Sequence, residues 1–276
     1  MSLLEQLSSM PTSGCALPFN GFVRYREAGM ASEQAPLVLL HGIGSGSGSW
    51  VRQLQAAKNR RVLAWDAPGY ADSTAVAPES PLAHDYAQVL WAWLDEMHIQ
   101  EVHLVGHSLG CIMAASAARL QPQRVKDLTL LAPAQGYGPA SVQVQAAKRD
   151  ERIKTMQQLG LAEMARQRAP RLLAPNAPAE QIELATHTMS RLNEGGYAQA
   201  TRMLSSADIR ADLKAFRAAS SAPIRIACGD LDVITLPAAC QALAEHINAP
   251  YTNLPGAGHM CPLEAPSMVN TLLSMN

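Results

Sequence analysis

Four short runs, Leu37 to Leu40, Val62 to Trp65, Val102 to Val105 and Leu128 to Leu131, are near-continuous apolar stretches with no helical spacing. Each is the length of a strand, and an unbroken apolar run indicates cover on both faces. Between the last three lie longer helical patterns, at about Leu82 to Met97 and Leu109 to Leu120. Strands that alternate with helices of this length form a mostly parallel sheet wrapped by helices. Phe22 to Glu27 supplies an earlier, antiparallel strand. Beyond residue 220 the pattern returns: a strand at Ile224 to Cys228, a helix from about Pro237 to His246, a strand at Tyr251 to Leu254 and a last helix from Pro262 onward.

The alternation is interrupted after Pro133. Residues 134 to 206 are rich in Ala, Gln, Met and Arg, show helical spacing and offer no strand. Pro139, Pro170, Pro175 and Pro178, with Gly195 and Gly196, break this stretch into three or four helices. At 276 residues the chain suits one α/β core plus an insertion. The expected organisation is a core of residues 1–133 and 207–276 and a helical cap of residues 134–206.

A formal net charge of -1, with no basic run beyond Lys58, Arg60 and Arg61, provides no field for nucleic acid or an anionic membrane. The expected partner is a small, largely apolar molecule, and the only macromolecular one a second copy of the chain in a homodimer. The first residues lack a basic segment followed by an apolar one, and no run of about 18 apolar residues occurs, so the expected location is cytoplasmic. Cys15, Cys111, Cys228, Cys240 and Cys261 are odd in number and scattered without metal-ligand spacing. They read as buried hydrophobes, and neither a metal nor an organic cofactor is expected.

Gly106-His107-Ser108-Leu109-Gly110 follows the run at Val102 and precedes an Ala-rich helix. A nucleophile needs a strained strand-to-helix turn, and flanking glycines remove the Cβ atoms that would block it. The helix N-terminus also aims N–H groups and positive dipole at developing negative charge. His41-Gly42-Ile43-Gly44-Ser45-Gly46-Ser47-Gly48 follows another strand. It lacks the lysine of a phosphate-binding P-loop and matches a dinucleotide fingerprint only in part. Beside Ser108 it reads as an oxyanion loop, in which the Ile43 and Leu109 amides receive a tetrahedral oxyanion.

A serine hydroxyl needs a base. His259, in the turn Gly256-Ala257-Gly258-His259 after the last strand, is the expected one; the other seven histidines lie in the two motifs or on helix and strand surfaces. Asp230 and Asp232 both follow the strand at Ile224, and Asp232, deeper in the loop, is preferred as the acid that orients His259. Asp230 then serves the turn, and Asp66 reads as part of a structural turn, Asp66 to Tyr70. Trp50 and Tyr137 are expected substrate contacts. Met156, Leu159, Met164, Met189 and Met203 either line an adaptable apolar pocket or pack the cap on the core.

These residues resemble the α/β-hydrolase family. The resemblance runs through the HGxG loop at His41, the DxPGxxxS turn from Asp66 to Ser73, GHSLG at Gly106, GxxD at Gly229 to Asp232 and GHxxxxExP from Gly258 to Pro266. It implies an eight-stranded sheet with a helical cap after the sixth strand. It also implies a catalytic set of Ser108, Asp232 and His259, in the chain order that the family uses. The subgroup resembles bacterial carboxylesterases, enol-lactonases and meta-cleavage-product hydrolases of aromatic catabolism. Ala71 and Cys111 stand where the family commonly has glycine. Three readings follow: a serine hydrolase of small apolar esters or lactones, a carbon-carbon bond hydrolase using the same residues, and a ligand receptor that keeps the fold without turnover.

Overall fold

Each of the apolar runs becomes a strand of one eight-stranded sheet in the computed structural model, which describes residues 1–275. The strands are β1 (Ser13–Leu17), β2 (Gly21–Ala28), β3 (Leu37–Leu40), β4 (Val62–Trp65), β5 (Val102–His107), β6 (Val125–Leu131), β7 (Ile224–Gly229) and β8 (Tyr251–Leu254). Their order is β1-β2-β4-β3-β5-β6-β7-β8. β2 is antiparallel to β1 and β4; every other pair is parallel. The α/β architecture expected from the alternation is the one observed.

Strand order explains where a site can form. The chain runs from β3 outward to β4, then returns to the other side of β3 as β5. Loops leaving β3 and β5 therefore diverge, and a crevice opens at the carboxyl ends of the two strands. Leu40 pairs with Gly106, so the glycine-rich loop after β3 and the turn after β5 emerge side by side.

The helices are α1 (Leu3–Ser9), α2 (Val51–Ala56), α3 (Ala83–Glu96), α4 (Leu109–Leu120), α5 (Val142–Arg168), α6 (Ala179–Ser190), α7 (Glu194–Ser206), α8 (Ile209–Ala219), α9 (Pro237–His246), α10 (Cys261–Glu264) and α11 (Pro266–Leu272). α4 is buried along nearly its whole length, packed between the sheet, α3 and α8. Its small residues allow that close approach. The indole N–H of Trp91 on α3 donates to the Ala117 carbonyl of α4 at 2.9 Å, and Trp65 stacks on Trp93 at 6.2 Å.

Several elements differ from expectation. α1, α2 and β1 had no sequence signal, since each is seven residues or shorter and too brief to show periodicity. The last helix is two, α10 and α11, because Pro266 starts a new one. Gly195 and Gly196 do not break a helix: they lie in the first turn of α7, capped by Asn193, whose side chain accepts the Gly196 N–H at 3.1 Å. The break falls instead at Gly160, which divides α5 with φ of 70°. Ala71, where the family commonly has glycine, adopts φ of 47°.

A Cβ on Gly196 would lie 1.9 Å from the Gly69 carbonyl oxygen, a backbone atom with nowhere to move. Gly196→Ala is expected to push α7 off the 67–73 turn at a cost of about 2 kcal/mol or more. The corresponding fall in melting temperature is at least about 4 °C in a thermal scan; an unchanged value would contradict the packing.

Candidate active site

Ser108 occupies the turn between β5 and α4 with φ 52° and ψ -115°, a conformation that L-residues rarely adopt. A Cβ on Gly106 would meet the Cys111 Cα at 2.5 Å, and one on Gly110 the Leu40 carbonyl oxygen at 2.1 Å. Glycine is required at both positions by contact with backbone. The turn is held from outside: the Ser108 N–H donates to the Leu131 carbonyl at 2.9 Å, and the Ser108 carbonyl accepts the Ala134 N–H at 3.2 Å. Such a backbone costs about 1–3 kcal/mol and persists only where its surroundings over-determine it. Cys111 suits its position, its thiol lying 3.2 Å from the Gly106 carbonyl.

The glycine-rich loop beside it is equally constrained. His41 Nδ1–H donates to the Gly42 carbonyl at 2.8 Å, while Nε2 accepts the Ala67 N–H at 3.0 Å. The Tyr70 hydroxyl donates to the Ile43 carbonyl at 2.9 Å, fixing the orientation of the peptide after Ile43. Asp66 accepts the N–H and hydroxyl of Ser47 at 2.7 and 2.9 Å, so its carboxylate braces the loop. Neither the Ile43 nor the Leu109 N–H has a protein acceptor among the described residues, and both residues line one cavity with Ser108 and His259. Burial holds the His41 pKa below its ordinary value.

His259 Nδ1–H donates to Asp232 Oδ2 at 2.8 Å, and both side chains are buried. Asp232 Oδ1 accepts the N–H groups of Ile234 and Thr235 at 2.7 and 3.0 Å, and Oδ2 accepts the Thr235 hydroxyl at 2.7 Å. Burial would raise the Asp232 pKa, but the His259 bond and charge, then Thr235 and the Ile234 N–H, outweigh it and hold the carboxyl below its usual range. Asp230 instead accepts the Gly256 N–H at 2.7 Å, which shapes the turn before His259. With Nδ1–H engaged by Asp232, Nε2 is the ring nitrogen left to accept a proton.

Four further residues position this group. His107, the residue before Ser108 in the Gly-x-Ser-x-Gly turn, donates from Nε2–H to the His259 carbonyl at 2.7 Å. Glu264 accepts the Gly258 N–H at 3.0 Å and the Ala174 N–H at 2.7 Å, joining the histidine loop to the segment before α6. Thr235 and Tyr70 complete the set. Their signals in the sequence were slight: a histidine inside an apolar motif, and a threonine three residues after Asp232.

The cavity measures about 530 Å³. Tyr137 lines it, as do Met164 and Met189. Trp50 does not. Expected as a substrate contact, it is fully buried, its ring edge-on to His107 at 6.3 Å, because the 3-10 turn Ser47–Trp50 rolls the indole into the core. Met156 and Met203 are buried away from the cavity and Leu159 is partly exposed, so of those five only Met164 and Met189 face it. No group of three His, Cys, Asp or Glu side chains able to hold a metal occurs among the described residues, and no helix among them is long and apolar enough to cross a membrane.

Residues 37–271 match the model of the alpha/beta hydrolase family. The chain belongs to that family. It is similar to a crystal structure of a hydrolase from Pseudomonas aeruginosa, with a TM-score of 0.82 and 26% identity over 97% of this chain and 98% of that one. It is 40% identical over 106 residues to the dihydrolipoyllysine-residue acetyltransferase component of an acetoin cleaving system from Pseudomonas putida, covering 38% of this chain and 28% of that protein. It is 36% identical over 123 residues to the 2-hydroxy-6-oxononadienedioate/2-hydroxy-6-oxononatrienedioate hydrolase of Paraburkholderia phymatum, covering 43% of this chain and 42% of that one. The matches thus span less than half the length of these curated relatives.

Two buried histidines give this alpha/beta hydrolase a defined response to acid. Burial, with the nearby Arg60 and Arg225 charges, pushes His103 down to about 3, and burial beside His259 does the same to His107. Both stay neutral when folded but titrate near 6.5 when unfolded, so each contributes stability that is present above about pH 6.5 and is lost as pH falls toward 3. In His103→Gln the slope of unfolding free energy against pH, measured by urea titration between pH 4.5 and 6, should be shallower by about 1.4 kcal/mol per pH unit. Identical slopes would place a charged His103 in the folded protein.

Proposed function

We propose that this protein is a serine hydrolase that cleaves a carboxylic ester or lactone of a small, largely apolar substrate through an acyl-enzyme on Ser108. The observation that carries this reading is His259, paired with the buried Asp232 at 2.8 Å and lining one cavity with a serine at positive φ and two amides that have no protein acceptor among the described residues. His259 Nε2 takes the Ser108 proton as Oγ attacks the carbonyl carbon, and Asp232 stabilises the resulting imidazolium. The oxyanion rests on the Ile43 and Leu109 N–H groups, each worth about 3 kcal/mol in the transition state. His259 then protonates the leaving alcohol, and water releases the acid by the same steps in reverse.

In this reading residues 134–206 form the cap over the reacting carbonyl, with Tyr137 and Met189 as substrate contacts. Trp50 takes no part. The second reading, hydrolysis of a carbon-carbon bond by the same residues, is favoured by the partial identity to the Paraburkholderia phymatum hydrolase. Relative turnover of an aryl ester and a vinylogous 1,5-diketone separates the two.

The deciding experiment follows p-nitrophenyl ester turnover and fluorophosphonate labelling by intact mass. Wild type should label once and turn over, and Ser108→Ala should do neither. Asp232→Asn should retain the fold and lose roughly 10³ to 10⁴ in kcat, because the wrong histidine tautomer then faces the serine. Tyr70→Phe, which frees the Ile43 carbonyl, should lower kcat about tenfold with little change in KM. A folded wild type that neither labels nor turns over would favour the receptor reading.

A further inference from the structure

The cavity continues into a second cleft of about 350 Å³, with which it shares Tyr137, Arg152, Arg168 and Arg171. The cleft's remaining lining is Lys148, Glu151, Thr155 and Gln167, so four cations face a single carboxylate. That carboxylate lies 3.9 Å from Lys148. Arg168 donates to the Tyr197 hydroxyl at 3.3 Å, and Arg152 and Arg171 make no hydrogen bond or ion pair with protein among the described residues.

This grouping is built by the fold. Arg152 and Arg168 each stand eight residues from Gly160, whose φ of 70° breaks α5 and turns its two limbs so that both arginines reach the same cleft. Arg171 follows in the 3-10 turn Ala169–Leu172. Between Val142 and Leu172 there are seven Lys and Arg against three Asp and Glu, in a chain of net charge -1. Like charges held together repel, and an anion between them relieves that repulsion. Guanidinium forks match the oxygens of carboxylate and phosphate.

We infer that the cleft lined by Arg152, Arg168 and Arg171 is a subsite for an anionic oxygen group, carboxylate or phosphate, at the far end of the substrate from its reacting carbonyl. The inference rests on the serine hydrolase reading for the reacting end alone. A substrate of this kind is apolar in the middle, where Met164 and Met189 line the cavity, and charged at its terminus. Specificity then comes from the insertion, while Ser108 and His259 serve any acyl group that reaches them.

The test uses the full chain carrying Ser108→Ala and three ligands in calorimetric titration. They are the p-nitrophenyl half ester of glutaric acid, a counterpart ending in phosphate, and the neutral methyl ester. At least one charged ligand should bind about tenfold tighter than the neutral one, and its advantage should shrink in 0.5 M salt. Whichever charged arm binds tighter identifies the anion. In Arg152→Gln/Arg171→Gln the advantage should fall to about twofold or less, and Arg171→Glu alone should lower it further than Arg171→Gln. Charged ligands that bind no better than the neutral one, or an advantage that survives in the double variant, would overturn the subsite. Turnover of the neutral ester by wild type is read in parallel: tight charged-ligand binding without turnover keeps the subsite and removes the hydrolase reading.

Discussion

The constraint on which the site depends is the contact of α4 with the end of β3. Gly110 comes so close to the Leu40 carbonyl that no side chain fits between them, and Gly106 is pressed as tightly against Cys111. The chain between these glycines cannot relax into a smooth strand-to-helix junction, so Ser108 takes a positive φ and projects into the crevice. Backbone hydrogen bonds from β6 and from Ala134 hold that conformation. Strain at the turn is therefore paired with rigidity around it, which is the condition for a strained residue to persist.

A second layer of organisation is a set of buried polar contacts that join loops far apart in sequence. His41 fastens the glycine-rich loop to Ala67, Tyr70 fastens the Ile43 carbonyl, His107 reaches the His259 carbonyl, and Glu264 ties the His259 loop to Ala174. Each of these groups is satisfied by a partner on another element, so the polar network specifies one arrangement. The proposed chemistry requires that rigidity, because a base and a nucleophile misplaced by about 1 Å lose much of their rate. Residues 134–206 join the same network through Glu264 and Ala174, and they carry the arginines of the second cleft.

Much of this was legible in the chain. β3 and β4 begin and end where their apolar runs do, β8 where a strand was expected, and α4 and α9 where their helical patterns do. These elements are long or strongly patterned, so local physics sets their limits. The turn at Ser108 was equally legible, since a strand, a motif and a helix agreed in one short stretch. Trp50 was misplaced because exposure of an aromatic beside a loop depends on how that loop folds. Gly195 and Gly196 misled because a capped first turn tolerates glycine, and close approach to Gly69 demands it at 196.

What the sequence by itself determined is therefore the local part: alternating strands and helices, the glycines that permit the turn at Ser108, and a short set of acids and histidines from which a site could be drawn. Tertiary structure decided the rest. Only the folded chain shows that Asp232 meets His259 while Asp230 turns to Gly256, and that Asp66 braces a loop. Only the break at Gly160 brings Arg152 and Arg168 to one cleft. The physical reason is range. Steric and hydrophobic patterns act over a few neighbouring residues, whereas a hydrogen bond between residues 27 or 152 positions apart, as in Asp232–His259 and His107–His259, exists only after the sheet has set those loops side by side.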